Sequence, residues 1–391
     1  MIGFLKKISL PELPISEFPE GDKRPDLVLL LAVLILVSIG TVMIYSSSSI
    51  MAAASQAHHH DGWYFLKKQV VFVVLGFGIM LLMAKIPYYY LKKAAYPGIL
   101  VSIVLLSLVL IPHLGVRAGG ATRWLRMGFF SFQVSELVKI CMILFLAHFL
   151  NRKIDYRKNF SRGVAVPLSV TAVIMLLIIL EPDFGTCAIM SVILLLMFYM
   201  AGARLVHLGA LLAGLIPVGI WFLVHESYRI KRLTAFLDPW QDPQRSGFQV
   251  IQSLISFGSG GAFGVGVGDS MQKLFYLPEP HTDFILSIIA EEAGFVGVFV
   301  VIALFVVLIV RGFLIAFKAP DLFGTLVAAG LTMLLALEAV INIAGVMGLI
   351  PLKGLALPFL SYGGTSLVMS LAAIGILLNI STFSEKKGES Q

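Results

Sequence analysis

Charge is what this chain has least of. Asp, Glu, Lys and Arg make up 13% of its 391 residues, against 58% hydrophobic residues, whereas a soluble domain carries about 25% charged residues. So little polar surface cannot cover a water-soluble core of this size, and lipid is the expected solvent for much of the chain. Cysteine is nearly missing. Cys141 and Cys187 both fall in apolar runs, which excludes a disulfide framework and a zinc pattern. Short segments of alternating apolar and polar residues, which a transmembrane barrel needs, are missing too. So is any inverted repeat of the kind common in secondary transporters.

What is present is a series of apolar runs near the length that spans a bilayer as a helix, about 20 residues. They fall at 27–47, 70–84, 96–111, 134–150, 164–180, 185–200, 208–224, 284–310, 322–349 and 366–381. The expected fold is an all-α polytopic membrane protein of about ten transmembrane helices. One large extracytoplasmic loop, residues 226–283, joins the seventh helix to the eighth. The chain reads as a single membrane domain over 1–391, with polar tails at 1–26 and 382–391. The first run, Leu27–Tyr45, is too long and too far along the chain for a cleavable leader. An even number of spans puts both termini on one side. The larger share of the 29 Lys and Arg residues falls there, which predicts cytoplasmic termini. The net charge of +7 is then read as cations facing lipid headgroups, with no nucleic acid as partner.

Cations on the opposite side cluster in two loops. Arg117, Arg123 and Arg126 lie in 112–133, and Arg229, Lys231, Arg232, Arg245 and Lys273 in 226–282. Such clustering predicts an anionic ligand at that face. Glu136 and Lys139 lie one turn inside the fourth span, where ionisable groups are expensive unless paired or wetted. Their i,i+3 spacing puts them on one face, where they can pair. Such a pair either locks helices together or borders a ligand cavity. Glu338, with Asn342 one turn later, reads as glue to a neighbouring helix. Glu291 and Glu292 lie about two turns beyond Asp283. Asp183, in the turn Glu181-Pro182-Asp183-Phe184-Gly185, reads as a helix cap. His58-His59-His60-Asp61 looks metal-like, but adjacent side chains make a poor ligand set. No metal site is predicted, and a divalent cation requirement stays open.

The long loop holds a basic stretch at 228–232, Asp-Pro turns at 238–239 and 242–243, and an amphipathic stretch from Gly247 to Leu254. A glycine run from Gly258 to Gly268 follows. Glycine this dense either lets backbone amides approach a phosphate or makes a flexible turn. No Gly-Lys-Ser/Thr follows it, so it is not a Walker A loop and ATP use is not expected. The loop ends in His281-Thr282-Asp283-Phe284. Asp283 would fall in the first turn of the eighth helix, where the dipole favours an ionised carboxylate. On residues alone it reads as a helix-start Asp; beside cations at a membrane mouth it also fits a general base.

Several of these segments carry a resemblance. Phe236-Leu237-Asp238-Pro239-Trp240, Gly247-Phe248-Gln249 with Gln252-Ser253-Leu254, the glycine run, and Gln272 to Glu279 resemble the SEDS family of bacterial cell-shape, division and sporulation proteins. So do His281-Thr282-Asp283-Phe284 and Leu357-Pro358-Phe359-Leu360-Ser361-Tyr362-Gly363-Gly364. The resemblance covers nearly the whole chain, including Trp124, Glu136 and Lys139, and is closer to the cell-division branch than to the elongation branch. Val134 and Thr365 depart from residues common in the family without removing a chemical group.

The resemblance implies an inverting peptidoglycan glycosyltransferase in the bacterial cytoplasmic membrane, at the septum. It would polymerise lipid II, a disaccharide-peptide on undecaprenyl pyrophosphate, with Asp283 as the base. A lipid II flippase is the alternative. Arg123, Arg126, Lys139 and Lys273 are the phosphate candidates. Trp124, Glu136, Gln252, Ser253, His281 and Thr282 are further expected substrate contacts. The implied partners are a class B penicillin-binding protein, which is a transpeptidase, and other division proteins.

Overall fold

Asp26 opens the first helix: its side chain accepts a hydrogen bond from the Leu29 amide at 2.9 Å. In the computed structural model, the described residues are 24–56, 59–118, 121–127, 130–152, 160–225, 227–245, 247–274 and 277–383. Ten apolar helices run back and forth among them. They are α1 (Leu27–Ala54), α2 (Tyr64–Lys85), α3 (Leu91–Val109), α4 (Val134–Arg152), α5 (Val166–Leu180), α6 (Phe184–Met200) and α7 (Leu205–His225). After two short helices, α8 (Ser227–Leu237) and α9 (Phe248–Gly260), come α10 (Ile285–Lys318), α11 (Leu322–Val346) and α12 (Gly364–Thr382). Nine segments are long and apolar enough to cross a bilayer, and α6 is a shorter apolar helix of 17 residues. Of the about ten expected spans, nine are thus helices of spanning length among the described residues and the sixth is shorter, several with longer ends than their apolar runs suggested.

Helices α4, α11 and α12 form the enclosed centre, whereas α7 is exposed along most of its length. In lipid, helices associate through close packing and polar ties rather than by expelling water. Asn379 of α12 supplies such a tie. It donates to the Ala84 carbonyl of α2 at 2.7 Å and accepts from the Tyr88 amide at 2.8 Å. At the same end of the bundle Arg311 grips Asp26, with Nε 2.9 Å from Oδ2, and Lys92 lies 3.2 Å from Asp321.

Two features at the opposite end were not expected. The loop between α3 and α4 folds into a three-stranded antiparallel sheet, β1 (Gly115–Ala118), β2 (Ala121–Met127) and β3 (Phe130–Gln133). Along β1 and β2 the register passes from Val116↔Trp124 to Arg117↔Thr122, so Arg123 is the extra residue of a bulge. Bulges re-aim a side chain.

The second feature is a break in α10 at Gly294, where φ is +65° and ψ −162°. A break strands backbone groups that must find partners. The glycine run supplies them. The amides of Val265 and Gly266 donate to the carbonyls of Glu291 and Glu292 at 2.9 and 3.1 Å. Those of Phe295 and Val296 donate to the carbonyls of Gly261 and Ala262 at 2.9 and 3.1 Å. The run thus does not hang loose: it is welded into the broken helix.

Candidate active site

Asp283 stands just ahead of α10. The helix begins at Ile285 with Phe284 as its cap residue, and no side chain caps it. This corrects the expectation that Asp283 lies in the first helical turn. Thr282, an expected substrate contact, turns its hydroxyl back to the Glu279 carbonyl at 3.1 Å. The Asp283 carboxylate takes no hydrogen bond from the described residues, so helix capping does not use it. It lines a small cleft with Gln249, Phe284, Asn342, Val346, Leu352 and Lys353. Burial, and then the nearby charge of Glu279, push its pKa up to about 6, while Arg232 and Arg123 pull the other way.

Four segments bring charged and polar groups around it. The sheet contributes Arg123, whose Nη2 donates to the Pro182 carbonyl at 2.8 Å and whose Nε lies 3.7 Å from Asp183 Oδ2. The α5–α6 turn contributes Asp183, which caps α6 as expected by accepting from the Thr186 amide at 3.1 Å. It also contributes Glu181, fully buried with neither carboxylate oxygen hydrogen-bonded. Burial, then Asp183, raise the Glu181 pKa to about 8 against the pull of Arg123, so it is mostly neutral at pH 7. The long loop contributes Gln249 and Arg232, the latter donating to the Leu352 carbonyl at 3.2 Å. The α11–α12 loop contributes Lys353, stacked over the Phe184 ring at 5.8 Å. Its pKa is lowered by burial, with Asp183 opposing. An ideal Cβ on Gly354 would stand 3.0 Å from Asp283 Oδ2, so that backbone approaches the carboxylate as closely as a side chain would.

The structure sorts the predicted site residues. Asp283 and Arg123 converge. Trp124 is half-buried and Arg126 exposed on the same strand. His281 is buried 4.4 Å from the Phe65 ring and 5.6 Å from the Tyr362 ring, in the turn that carries Asp283. Gln252 is half-buried on α9, one turn beyond Gln249.

Three predicted residues are committed elsewhere. Ser253 is buried, its hydroxyl against Ser287 at 2.7 Å and the Val346 carbonyl at 2.5 Å. Lys273, expected to hold phosphate, is 3% exposed. Its Nζ sits 2.8 Å from Glu292 and 3.2 Å from Ser46 on α1. Lys139, the other buried phosphate candidate, pairs with Glu136 at 2.9 Å and in a very short contact with Glu338 of α11. Glu136 and Glu338 line a second small cleft. The glue expected of Glu338 thus has Lys139 as its partner. It lies one turn from Asn342, which donates to the Asp283 carbonyl at 3.0 Å.

The residues missed as site members are Arg232, Gln249, Asn342 and Lys353. The local signal for Lys353 was its place beside Gly354, just ahead of the Leu357–Gly364 motif. Among the described residues no group of three or more His, Cys, Asp or Glu side chains could hold a metal ion. Of the histidine run, His58 lies outside the described residues.

Comparison with known proteins agrees with this architecture. The family model described as cell cycle protein FtsW/RodA/SpoVE matches residues 26–386. The chain is 48% identical to the probable peptidoglycan glycosyltransferase FtsW of Trichlorobacter lovleyi over 91% of this chain and 93% of that protein. It is 43% identical to the stage V sporulation protein E of Bacillus subtilis, over 92% and 98%. Among solved structures it superposes on a chain of a peptidoglycan synthase complex described as coordinating polymerization and crosslinking. That match has a TM-score of 0.74 at 30% identity, covering 92% of this chain and 98% of that one. The rod shape determining protein RodA of Thermus thermophilus gives a TM-score of 0.65 at 28% identity, over 91% and 96%. Ten apolar helices, the long loop ahead of α10 and a match over nearly the whole chain lead to one conclusion: this chain belongs to the FtsW/RodA/SpoVE family.

Proposed function

We propose that this chain is a peptidoglycan glycosyltransferase that polymerises lipid II at the outer face of the cytoplasmic membrane, during septal wall synthesis. The observation that carries the reading is Asp283: a carboxylate that caps nothing, has its pKa pushed up to about 6, lines a cleft with Lys353, and lies within reach of the charges of Arg232 and Arg123. A base with that pKa is mostly ionised at pH 7 yet still basic enough to take a proton. In the reaction, Asp283 takes the proton of the acceptor sugar's 4-hydroxyl. The hydroxyl oxygen forms a bond to the donor's anomeric carbon. The bond from that carbon to the pyrophosphate oxygen breaks, configuration inverts, and the lipid pyrophosphate leaves with the electron pair. Arg123, Arg232 and Lys353 are the cations placed to meet those phosphates, in the roles expected of Lys139 and Lys273. Lipid-facing helices such as α7 leave room for the polyprenyl tail.

The relatives' names support the activity, and the synthase complex supports a transpeptidase partner in the membrane. Cytoplasmic termini follow from the distribution of Lys and Arg.

Purified full-length chain, alone and with its cognate class B penicillin-binding protein, is assayed for polymer from lipid II. Asp283→Asn is expected to lower polymerisation by about 10²- to 10⁴-fold while the protein stays folded and binds lipid II. Full activity in that variant removes the base assignment. Transbilayer movement of lipid II without polymer in any preparation replaces the reading with transport.

A further inference from the structure

Asn342 of α11 is 3% exposed, and the two ends of its amide are in unequal positions. The nitrogen is fully used. Nδ2 donates to the Asp283 carbonyl at 3.0 Å and to the Leu355 carbonyl at 2.6 Å, so one amide ties the base turn to the loop that carries Lys353. Two carbonyl oxygens would repel an amide oxygen, and this fixes which end faces them. The other end is unspent: Oδ1 is buried and accepts no hydrogen bond from the described residues. Buried acceptors are nearly always paired, and an exception asks for a reason. The residue lines the same cleft as Asp283, Gln249 and Lys353. Glu338, one turn earlier on α11, is engaged by Lys139, and as a carboxylate partner it offers Asn342 no donor.

We infer that Asn342 Oδ1 receives a hydrogen bond from the substrate, donated by a hydroxyl or acetamido N–H of the sugar whose 4-hydroxyl Asp283 deprotonates. The inference rests on the polymerisation reading. Asn342 then has two functions that separate kinetically. Its nitrogen positions Asp283, which acts on kcat. Its oxygen selects a saccharide donor group, which acts on KM. A site that pairs a polar substrate group discriminates against an analogue lacking it, because a buried polar atom is then left unpaired.

The test is a cycle between substrate and protein. Full-length wild type and Asn342→Ala are assayed with lipid II and with analogues lacking one donor each. In one analogue the acetamido N–H is replaced by an ester oxygen; in another a hydroxyl is replaced by hydrogen. For one analogue, wild type is expected to lose about tenfold in kcat/KM, while Asn342→Ala treats analogue and lipid II alike. Asn342→Asp keeps an oxygen acceptor. It should retain the discrimination with a lower kcat, since its second oxygen faces the two carbonyls. Equal losses in wild type and Asn342→Ala for every analogue mean that Oδ1 holds an internal water only, and overturn the inference. A wild type that makes no polymer overturns the polymerisation reading and this inference with it. For a variant without turnover, the same cycle is read as binding in the Asp283→Asn background. If Asn342→Ala does not fold, Asn342→Leu, which fills the volume, takes its place.

Discussion

Lys273 Nζ lies 2.8 Å from Glu292, in a pocket closed by Ser46 of α1, so a cation that looked available for phosphate is a buried internal partner. Removing one half of a buried ion pair strands the other charge, which costs roughly 3–5 kcal/mol, whereas replacing both by apolar groups is often neutral. Lys273→Met should therefore lower thermal stability in detergent by several degrees. Lys273→Met with Glu292→Leu should recover most of the loss. A single variant as stable as the parent would contradict the pairing.

The acid limb of polymerisation reports Asp283. A base acts when deprotonated, and its raised pKa near 6 places the loss of activity on the acid side. The rate should hold from pH 8 to 7 and fall by about tenfold per unit well below pH 6. Initial rates between pH 4.5 and 8, with stability monitored in parallel, check this.

Arg123 tunes that limb. Its charge pulls the Asp283 pKa down, so Arg123→Gln should move the acid limb to higher pH and also raise KM for the lipid substrate. An unchanged limb with raised KM would leave Arg123 as a phosphate contact alone.

These predictions divide along the line between what a sequence displays and what only tertiary contact creates. The spans were legible because 20-residue apolar runs have no other use. Asp183 as a cap and Glu136 with Lys139 as a pair were legible because their partners lie three residues away. Glu338 as partner to Lys139, 199 residues distant, was not, since nothing local joins them. The sheet was missed because its strands are only 4, 7 and 4 residues long. Lys353 was missed, because a loop charge acquires meaning only from the groups that tertiary structure brings beside it. The glycine run was read for its freedom, whereas the structure uses its backbone to repair a helix.

That repair is testable at Gly294. Its φ of +65° with ψ of −162° suits glycine alone, and an ideal Cβ would stand 2.3 Å from the Gly264 nitrogen. Gly294→Ala should destabilise by about 3 kcal/mol or more through backbone strain and clash. It should also speed hydrogen exchange at Val265 and Gly266, whose amides lose their carbonyl partners. Unaltered exchange there would contradict the weld.

Gly354→Ala tests the close approach at the base. The new methyl would meet Asp283 Oδ2 at 3.0 Å, and no positive φ adds strain. Fold and lipid II binding should survive while kcat falls by about tenfold or more, because small displacements of a reacting group are costly. A normal kcat would mean that the carboxylate shifts without consequence.

The assembly of the site from four segments also bears on how the protein is made. Chains are synthesised from the N-terminus, and Asp283 emerges well before Asn342 and Lys353. A chain inserted only as far as α10 carries the carboxylate with neither the amide that holds its turn nor the lysine that lines its cleft. The site comes into being when the last helical hairpin, α11 with α12, enters the membrane. Until then a half-made polymerase is inert toward the lipid around it.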